Sequence, residues 1–338
     1  AAAPPSPPTP APAATAEAPT QEGIEILKCV ECGEIYWAED RQQGRVFITS
    51  WGPVCQACLP SVQQEREAIR IGSYRLAGKL GEGGMGIVYE AWDEARGRRA
   101  AVKVLHAAFA ERKPLRDRFL QEAAVGVRLS HPNVIEVYEV GEYSGAPFIA
   151  MELFEGKNLG HRLQHTPRLP LRSVLAWTKQ AAEGLAHAHS AGVIHRDVKP
   201  GNLLVSDNDR LKILDFGLGR ALDHEGTRLT LSGELIGTIA YASPEQLESA
   251  KTVDTRADIY GLGATLYHLV AGELPFQHDS QYSLMDRILT REPAPLDTLR
   301  PNLPPRLVEC VGRAMKKDPR QRFQSALEMK EELSRVIV

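Results

Sequence analysis

Apolar and polar positions follow different patterns in the two halves of the chain. In the first half, short β-branched and aromatic runs such as Ile87-Val88-Tyr89-Glu90-Ala91 predict strands. From residue 171 onward the apolar residues recur near i, i+3, i+4 and i+7, which predicts helices. One such helical face is formed by Val174, Leu175, Ala181, Ala182, Leu185 and Ala188. A strand-rich half followed by a helix-rich half predicts an α+β chain with two lobes.

Further elements follow from the same patterns. Residues 116–129 are predicted to form a helix, and two strands are predicted around Val134–Tyr138 and Phe148–Glu152. The run from Ile259 to Gly272 has no charged residue but contains His268. It is too short to span a bilayer, so it predicts a buried helix, and we expect no membrane segment in this chain.

Changes in composition divide the chain into four predicted parts. Residues 1–20 hold seven prolines, eight alanines and one charge, so a mobile linker is expected over residues 1–22. Residues 23–60 carry paired cysteines among alternating apolar residues, which predicts short strands around a metal. Residues 61–71 are charged and predict a helical connector. Residues 72–338 form the predicted main domain.

Overall composition is that of a globular protein, with 338 residues, 43% apolar residues and 25% charged residues. A formal net charge of -3 gives no reason to expect nucleic acid or an anionic membrane as a partner. No signal peptide is visible, and the chain starts at Ala1, so we expect a fragment or processed form in the cytoplasm. The sequence leaves open a membrane anchor outside this range.

Four of the five cysteines form two Cys-x-x-Cys pairs, Cys29/Cys32 and Cys55/Cys58, separated by 22 residues. Each pair places two thiolates on one turn, and two such turns complete a tetrahedral site. We therefore predict structural zinc, with a rubredoxin-like iron site as the alternative and disulfides well behind. The spacing resembles zinc ribbons and treble clefs. The fifth cysteine, Cys310, is predicted to be a small buried residue.

Acidic residues outnumber basic ones in the cysteine module. Lys28, Arg41 and Arg45 stand against Glu22, Glu25, Glu31, Glu34, Glu39 and Asp40. Because nucleic acid requires a basic face, this balance argues against a zinc-dependent nucleic-acid-binding protein. We expect the module to serve protein contact or regulation instead, with a regulatory protein as its partner.

A glycine-rich loop lies between two predicted strands. Gly81, Gly83 and Gly86 fit the pattern G-x-G-x-x-G, which is weak alone because the same pattern opens dinucleotide-binding units. In those units a helix must follow, whereas here a strand follows. A loop between two strands predicts a flap whose backbone N–H groups approach phosphates, where a Cβ would block the approach. A plain hairpin is the alternative for this motif taken alone.

The other motifs supply the charged groups. Lys103 lies on the next strand and Glu122 on the following helix, as a lysine and its acidic partner. His195-Arg196-Asp197-Val198-Lys199-Pro200-Gly201-Asn202 brings a carboxylate, a lysine and an amide together. Asp215-Phe216-Gly217 follows 13 residues later with a second carboxylate.

This ordered set resembles the eukaryotic-like protein kinase family over roughly residues 72–335. The sequence around His131–Val134 and Ser243–Gln246 is closest to the bacterial branch. The resemblance implies transfer of the γ-phosphate of ATP to serine or threonine hydroxyls of proteins, with Mg²⁺ as cofactor. The alternative is a pseudokinase scaffold with the same fold. It is disfavoured because every residue that phosphate transfer requires is present.

The resemblance also implies a role for each site residue. Asp197, Lys199 and Asn202 would be catalytic, and Asn202 and Asp215 would hold Mg²⁺. The residues implied to bind ATP are Leu80, Gly81, Gly83, Gly86, Val88, Ala101, Lys103, Glu122, Met151, Glu152, Leu153 and Leu204. Within that set Met151–Leu153 would be the gatekeeper and hinge, and Val88, Ala101 and Leu204 would enclose the adenine.

Further family landmarks have counterparts here. Asp258 resembles the buried aspartate that braces the catalytic loop, and Arg322 the arginine that pairs with Glu245. Lys199, two residues after Asp197, and Thr238 resemble residues typical of serine/threonine enzymes.

Regulation is expected in the segment between Asp215 and Glu245. Arg196 would pair there with a phosphate carried by Thr227, Thr230 or Ser232, introduced by autophosphorylation. Gly126 departs from the family pattern, because a bulky apolar residue usually stands there and packs on the phenylalanine of the Asp-Phe-Gly motif. Glycine predicts a gap at that point and lowers helix propensity by ~1 kcal/mol relative to alanine.

Overall fold

The computed structural model describes residues 26–37, 40–41, 43–49, 52–59, 69–83, 86–166, 168–216, 239–248, 253–277 and 280–338. The chain divides into two compact units, Ala1–Ala68 and Ile69–Val338. Each unit has its own buried cluster of side chains, and the two are described separately.

Within its described residues, the smaller unit contains two antiparallel hairpins. Its strands are β1 (Ile26–Lys28), β2 (Ile35–Trp37), β3 (Val46–Thr49) and β4 (Gly52–Cys55). Strand β1 pairs with β2, and β3 pairs with β4. Gly33 has a φ of +76° in the turn between the first two strands, a conformation that glycine adopts without a Cβ clash. The short strands predicted between the cysteine pairs are therefore present.

The larger unit begins with a six-stranded antiparallel sheet in the order β5-β6-β7-β8-β10-β9. These strands are β5 (Arg70–Ile71), β6 (Tyr74–Gly83), β7 (Gly86–Asp93), β8 (Arg98–Leu105), β9 (Val137–Tyr143) and β10 (Ala146–Glu152). Strand β5 lies within the range predicted as a helical connector.

Two apolar clusters cover the two faces of this sheet. Ala100 and Val102 belong to the cluster on one face, and Ala101 belongs to the cluster on the other. This follows from the alternation of side chains along a strand. Lys103 shares the parity of Ala101, so its side chain leaves the sheet on that second face, where the helices pack.

Two helices cover the second face, α1 (Ala107–Ala110) and α2 (Lys113–Gly126). Helix α2 begins and ends three residues before the predicted range 116–129. A proline in its first turn fits that start, because the N–H groups there have no helical partner. Phe119 and Ala123 of α2 are buried with Ile149 and Met151 of the sheet.

The second half of the larger unit is mainly helical, as predicted. Its helices are α3 (Leu159–His165), α4 (Leu171–Ser190), α5 (Pro244–Glu248), α6 (Arg256–Ala271), α7 (Gln281–Thr290), α8 (Leu296–Leu299), α9 (Pro305–Ala314) and α10 (Ala326–Ser334). A small antiparallel sheet joins β11 (Lys157–Asn158), β12 (Leu203–Val205) and β13 (Leu211–Ile213).

Helix α6 forms the centre of the helical half. Thirteen of its residues are buried, which confirms the buried helix predicted from the uncharged run. It ends at Gly272, whose φ of +82° is the left-handed cap conformation. Among the helices of the described residues, none combines the length and the apolar character needed to cross a membrane.

A short parallel contact joins the two halves. The Ile135 N–H donates to the Ile213 carbonyl at 2.9 Å, and the Ile213 N–H donates to the Asn133 carbonyl at 2.9 Å. The sequence pattern had predicted a strand around Val134–Tyr138. Val134 instead bridges to β13, and strand β9 begins at Val137. The predicted α+β fold with a strand-rich and a helical lobe is confirmed.

Candidate functional site

The loop between α4 and β12 is held by one buried carboxylate. Asp258, on α6, accepts the N–H of His195 at 2.8 Å and the N–H of Arg196 at 2.7 Å. Its oxygen also lies 2.7 Å from Nε2 of His189. Arg196 has a φ of +68°, a strained conformation for a residue with a Cβ. Asp258 therefore braces this loop, as the family resemblance implied.

The His195 ring joins the loop to the segment that carries Asp215. Its Nε2 lies 2.7 Å from the Leu214 carbonyl, and its Nδ1 accepts the Asp197 N–H at 3.2 Å. Because a carbonyl only accepts, the proton must lie on Nε2. The ring also meets Phe216 edge to face, with centroids 4.7 Å apart.

Three polar side chains meet at the end of this loop. Lys199 Nζ lies 2.8 Å from an Asp197 carboxylate oxygen. The Asn202 amide donates to the Asp197 carbonyl at 2.8 Å and to its carboxylate at 3.0 Å. The residues predicted as catalytic are thus brought together. The Asp197 and Lys199 side chains are about one-fifth exposed, so they can meet a ligand in the cleft.

Asp215 and Lys103 form a second charged pair. The Lys103 ammonium lies 3.0 Å from both carboxylate oxygens of Asp215. Asp215 has a φ of +56°, another strained position. Glu122, the acidic partner predicted for Lys103, lies in α2, but its side chain is outside the described part. The proposed pairing of Lys103 with Glu122 stays a prediction.

The glycine-rich turn lies between β6 and β7. Gly81 pairs with Val88, and Gly83 pairs with Gly86 across the hairpin. A Cβ added to Gly86 would lie 2.2 Å from the Val104 carbonyl oxygen, so only glycine fits there. Gly81 and Gly83 have open space where a Cβ would stand. Leu80, predicted to contact the nucleotide, is about half exposed beside them.

Apolar side chains line the cleft next to the turn. Ala101 is buried, and Val88 packs against the same cluster. Leu204, the third side chain predicted to enclose adenine, lies on the small sheet of the helical lobe.

The predicted hinge follows the sheet. Met151 and Glu152 end β10, and Leu153 comes directly after it. A Glu152 carboxylate oxygen lies 2.7 Å from Lys212 Nζ, while the Glu152 N–H donates to the Glu136 carbonyl at 2.8 Å.

A buried ion pair lies beyond the cleft. The Arg322 guanidinium, 1% exposed, holds both carboxylate oxygens of Glu245 at 2.6 and 2.7 Å. The expected pairing is therefore present. Thr227, Thr230, Ser232 and Thr238 lie outside the described residues.

Sequence reasoning missed two polar contacts. His189 reaches Asp258 from the last turn of α4, and the Gln246 side chain donates to the Arg196 carbonyl at 2.8 Å. Both contacts support the loop that carries Asp197. A histidine placed six residues before His195 was the available signal for the first contact. Nothing in the sequence pattern distinguishes Gln246 from an exposed glutamine.

Gly126, the departure from the family pattern, borders a small cavity of about 20 Å³, which confirms the predicted gap. The cavity is lined by Ala123, Gly126, Val134, Ile135, Val137, Ile149, Met151, Asp215 and Phe216. Val137 fills part of the volume that a larger side chain at residue 126 would occupy. Its Cγ2 would lie 3.0 Å from a Cβ added to Gly126. The remaining space is about that of one water molecule.

The smaller unit brings its four cysteines together. The ligand atoms of Cys29, Cys32, Cys55 and Cys58 all lie within 4.8 Å of one another. Cys32 and Cys55 sulfurs are 3.9 Å apart. Four sulfurs at 2.3 Å from one tetrahedral ion would be about 3.8 Å apart, so the spacing fits zinc.

Electrostatics at the cysteine cluster also favour a cation. Burial raises the pKa of Cys29, but N–H groups of Cys32, Cys55 and Glu31 outweigh it and lower that pKa to about 6. The neighbouring Cys55 sulfur raises the pKa of Cys58 to about 12. The Cys29 thiol therefore loses its proton readily, whereas the Cys58 thiol keeps its proton, because neighbouring thiolates repel each other. A divalent cation would remove that repulsion.

The arrangement of a glycine turn, a lysine and two carboxylates resembles that of nucleotide-dependent phosphotransferases. Comparison with known proteins makes this specific. The family model described as the protein kinase domain matches residues 74–333. The chain belongs to the protein kinase domain family.

Individual relatives agree. A probable serine/threonine-protein kinase of Streptomyces coelicolor is 36% identical over 263 residues, covering 77% of this chain and 39% of that protein. Serine/threonine-protein kinase PknB of Mycolicibacterium smegmatis is 37% identical over 267 residues, covering 78% of this chain and 43% of PknB. The chain thus spans about two fifths of the length of these relatives.

Solved structures give the same fold. The crystal structure of the Mycobacterium tuberculosis PknI kinase domain is 30% identical, with a TM-score of 0.64. The match covers 79% of this chain and 97% of the PknI chain. The cysteine unit lies outside the range of the family model, which begins at residue 74.

The contact between Gly126 and Val137 generates a prediction about stability. Gly126→Ala gains helix propensity but presses a new methyl against Val137, so its net effect should be near zero. Val137→Ala alone should destabilise by enlarging the cavity. Combined, the two changes remove both methyl groups of Val137 and add one at residue 126, so the new methyl enters freed space, and the double variant should be more stable than the sum of the single effects by about 1 kcal/mol.

Urea unfolding of the four proteins measures this coupling. Gly312→Ala is the matched control, because Gly312 is an exposed helical glycine of α9 with nothing within 4 Å of an added Cβ. It should stabilise by about 0.5–1 kcal/mol. Strict additivity of Gly126→Ala and Val137→Ala would show that Val137 does not occupy the missing volume.

Proposed function

We propose that the chain is an active serine/threonine protein kinase. The observation that carries this proposal is the joint position of Asp197, Lys199 and Asn202 on the loop braced by Asp258, with their polar atoms within 3.0 Å of Asp197. The bacterial relatives, which are named as serine/threonine-protein kinases, support the same activity.

The roles assigned to the loop follow from its hydrogen bonds. Asp197 would orient the substrate hydroxyl and accept its proton. Lys199 would neutralise charge on the transferring group. Asn202 donates its amide N–H to Asp197, which leaves its amide oxygen as the atom that can meet a cation.

Asp215 and Lys103 would serve the nucleotide phosphates. Asn202 and Asp215 offer oxygen ligands of the kind that Mg²⁺ prefers, so the residues present fit that ion. Mg²⁺, when bound, would offset phosphate charge. The Lys103–Asp215 contact would then loosen, and Lys103 would turn towards phosphate oxygens, held by Glu122. Leu80, the glycine turn, Val88, Ala101 and Leu204 would enclose the nucleotide under the hinge Met151–Leu153.

Serine/threonine rather than tyrosine preference rests on Lys199 and Thr238 and on the relatives' names.

The domain boundaries proposed are 1–22, 23–60, 61–71 and 72–338. A cytoplasmic location is proposed from the four clustered thiols, since such thiols persist in reducing compartments. Protein substrates are the proposed partners of the kinase cleft.

The smaller unit is proposed to be a structural zinc module. Cys29, Cys32, Cys55 and Cys58 would take all four positions of a tetrahedral ion, so no open position would remain for catalysis. We propose a regulatory protein as its partner, because Val30, Ile35 and Ile48 are exposed apolar residues on a small unit.

Asp197→Asn tests the proposed activity. Removing the proton acceptor should lower the rate of phosphate transfer by about 10²–10⁴-fold. Binding of ATP should change little, because the Asp197 carboxylate is assigned to the hydroxyl and not to the nucleotide. Transfer of radiolabelled phosphate to a generic protein substrate and equilibrium nucleotide binding are the two measurements.

Asp207→Asn is the matched control, because Asp207 is exposed in the turn between β12 and β13. It should retain the full rate. A near wild-type rate for Asp197→Asn would sink the catalytic assignment. An inactive wild-type chain that still binds ATP would favour the pseudokinase alternative.

Metal analysis tests the zinc module. One zinc per chain is expected in protein purified without chelator, and iron in its place would establish the rubredoxin-like alternative. Since zinc supplies about 10 kcal/mol or more of folding free energy in small modules, Cys32→Ser should unfold residues 23–60 while the kinase lobes melt unchanged. Cys310→Ala, which removes a buried thiol of the larger unit, should leave the zinc content at one.

Autophosphorylation within the segment between Asp215 and Glu245 is proposed as the activating event. Thr227, Thr230 and Ser232 are the candidate acceptors, and Arg196 is the proposed partner of the phosphate. Asp258 and Gln246 hold the backbone of Arg196 in place, so its guanidinium extends from a fixed point of the loop.

Intact-mass and peptide mass spectrometry check this proposal. Wild-type protein expressed alone should carry phosphate between residues 220 and 235, and the Asp197→Asn variant should not. The triple variant Thr227→Ala/Thr230→Ala/Ser232→Ala should lose rate, while Ser334→Ala, at an exposed position in α10, should not. A triple variant as fast as wild type would rule out the switch.

A further inference from the structure

Two histidines on helix α3 point their ring nitrogens at each other. His161 and His165 are four residues apart, and their Nε2 atoms are separated by 3.3 Å. The ring centroids are 4.5 Å apart, with the planes tilted by 55°. Both side chains are exposed. No residue of the proposed kinase machinery is involved.

The spacing of the two nitrogens fits a shared metal ion. A divalent transition metal binds an imidazole nitrogen at about 2.0–2.1 Å. Two nitrogens at that distance and 3.3 Å apart subtend an angle of about 107° at the metal, close to the tetrahedral value. Without a metal ion, an N–H···N hydrogen bond gives the pair a similar distance, and a bound ion would replace the shared proton.

Helix α3 holds the pair on a fixed support. Leu159 and Leu163 are buried on one side of the helix, and the two histidines lie about 200° and 240° around it from Leu159. The Asn158 side chain accepts the His161 N–H at 2.7 Å and caps the first turn. Arg162 donates to the carbonyls of Val205 and Ser206 and attaches the helix to the small sheet.

This support matters for metal affinity. Once one imidazole has bound an ion, the second is already within reach and loses little freedom on binding. Neighbouring positions on a helix surface are three or four residues apart, so the i, i+4 spacing places both rings on the same side. Each nitrogen would occupy one position of the ion, and water would fill the others.

We propose that His161 and His165 form a bidentate surface site for a divalent transition-metal ion of the imidazole-binding group, which includes Zn²⁺, Ni²⁺ and Cu²⁺. Its ligands differ from those of the four-cysteine cluster in residues 29–58. It also differs from the proposed Mg²⁺ site in its ligand atoms, because Mg²⁺ prefers oxygen atoms and not imidazole nitrogen.

A second histidine pair provides the contrast. His131 and His187 stack with centroids 5.1 Å apart and planes inclined by only 24°. Burial, and then the neighbouring His187, lower the pKa of His131. His131 Nδ1 accepts the Asn133 N–H at 3.1 Å and is therefore already occupied. His187→Gln therefore removes a histidine without touching the proposed site.

Titration with Ni²⁺ tests the site. The full chain, without an affinity tag and with the cysteine cluster saturated with zinc, is titrated by isothermal calorimetry, and zinc release is followed in parallel. One Ni²⁺ site per chain is expected without zinc release. His161→Gln and His165→Gln should each weaken it by about tenfold or more, since a lone imidazole loses the chelate advantage. His187→Gln should bind as wild type.

Hydrogen exchange locates the bound ion. An ion that links positions i and i+4 should slow amide exchange in residues 159–165 of the wild type and not in either glutamine variant, because metal binding stabilises only the folded turn. Absence of saturable Ni²⁺ binding, equal binding in all four proteins, or heat that tracks zinc release would each overturn the proposal.

Discussion

The candidate active site depends on the buried carboxylate of Asp258. It accepts two backbone N–H groups from the loop that carries Asp197, and its own side chain has no solvent exposure. Hydrogen bonds to a charged group contribute about 1.5–3 kcal/mol each. The strained backbone of Arg196 costs about 1–3 kcal/mol, so the brace outweighs the strain that it imposes. Helix α6, buried almost throughout, supplies the fixed position from which it acts.

The charged residues of the cleft are coupled through His195. One ring nitrogen accepts from the Asp197 backbone, and the other lies against the Leu214 carbonyl next to Asp215. The two carboxylates assigned to the substrate and to Mg²⁺ are therefore positioned by one imidazole. Displacement of either segment would break a contact of the His195 ring. The ring therefore fixes the position of the two carboxylates relative to each other.

Much of the cleft could be predicted because phosphoryl transfer demands particular residue types at fixed spacing. Asp197, Lys199 and Asn202 lie within six residues, so a local turn suffices to bring them together. Gln246 and Val137 could not be found this way, since their contacts with Arg196 and Gly126 depend on tertiary packing. Strand β5 was missed because two residues are too few to show a period. The spacing of the cysteines implied their metal geometry. The distance between the His161 and His165 rings depends on side-chain rotamers, which spacing alone does not give.

The parallel contact between residues 133–135 and Ile213 has a mechanical consequence. It joins the strand-rich half to the helical half through backbone hydrogen bonds of 2.9 Å, only two residues before Asp215. A rotation of one half against the other about this contact would carry the glycine turn with it, because that turn joins β6 and β7 of the strand-rich half. Asp215 lies near the axis of such a rotation and moves little. Such a rotation would widen the cleft while the carboxylate proposed to bind Mg²⁺ kept its place.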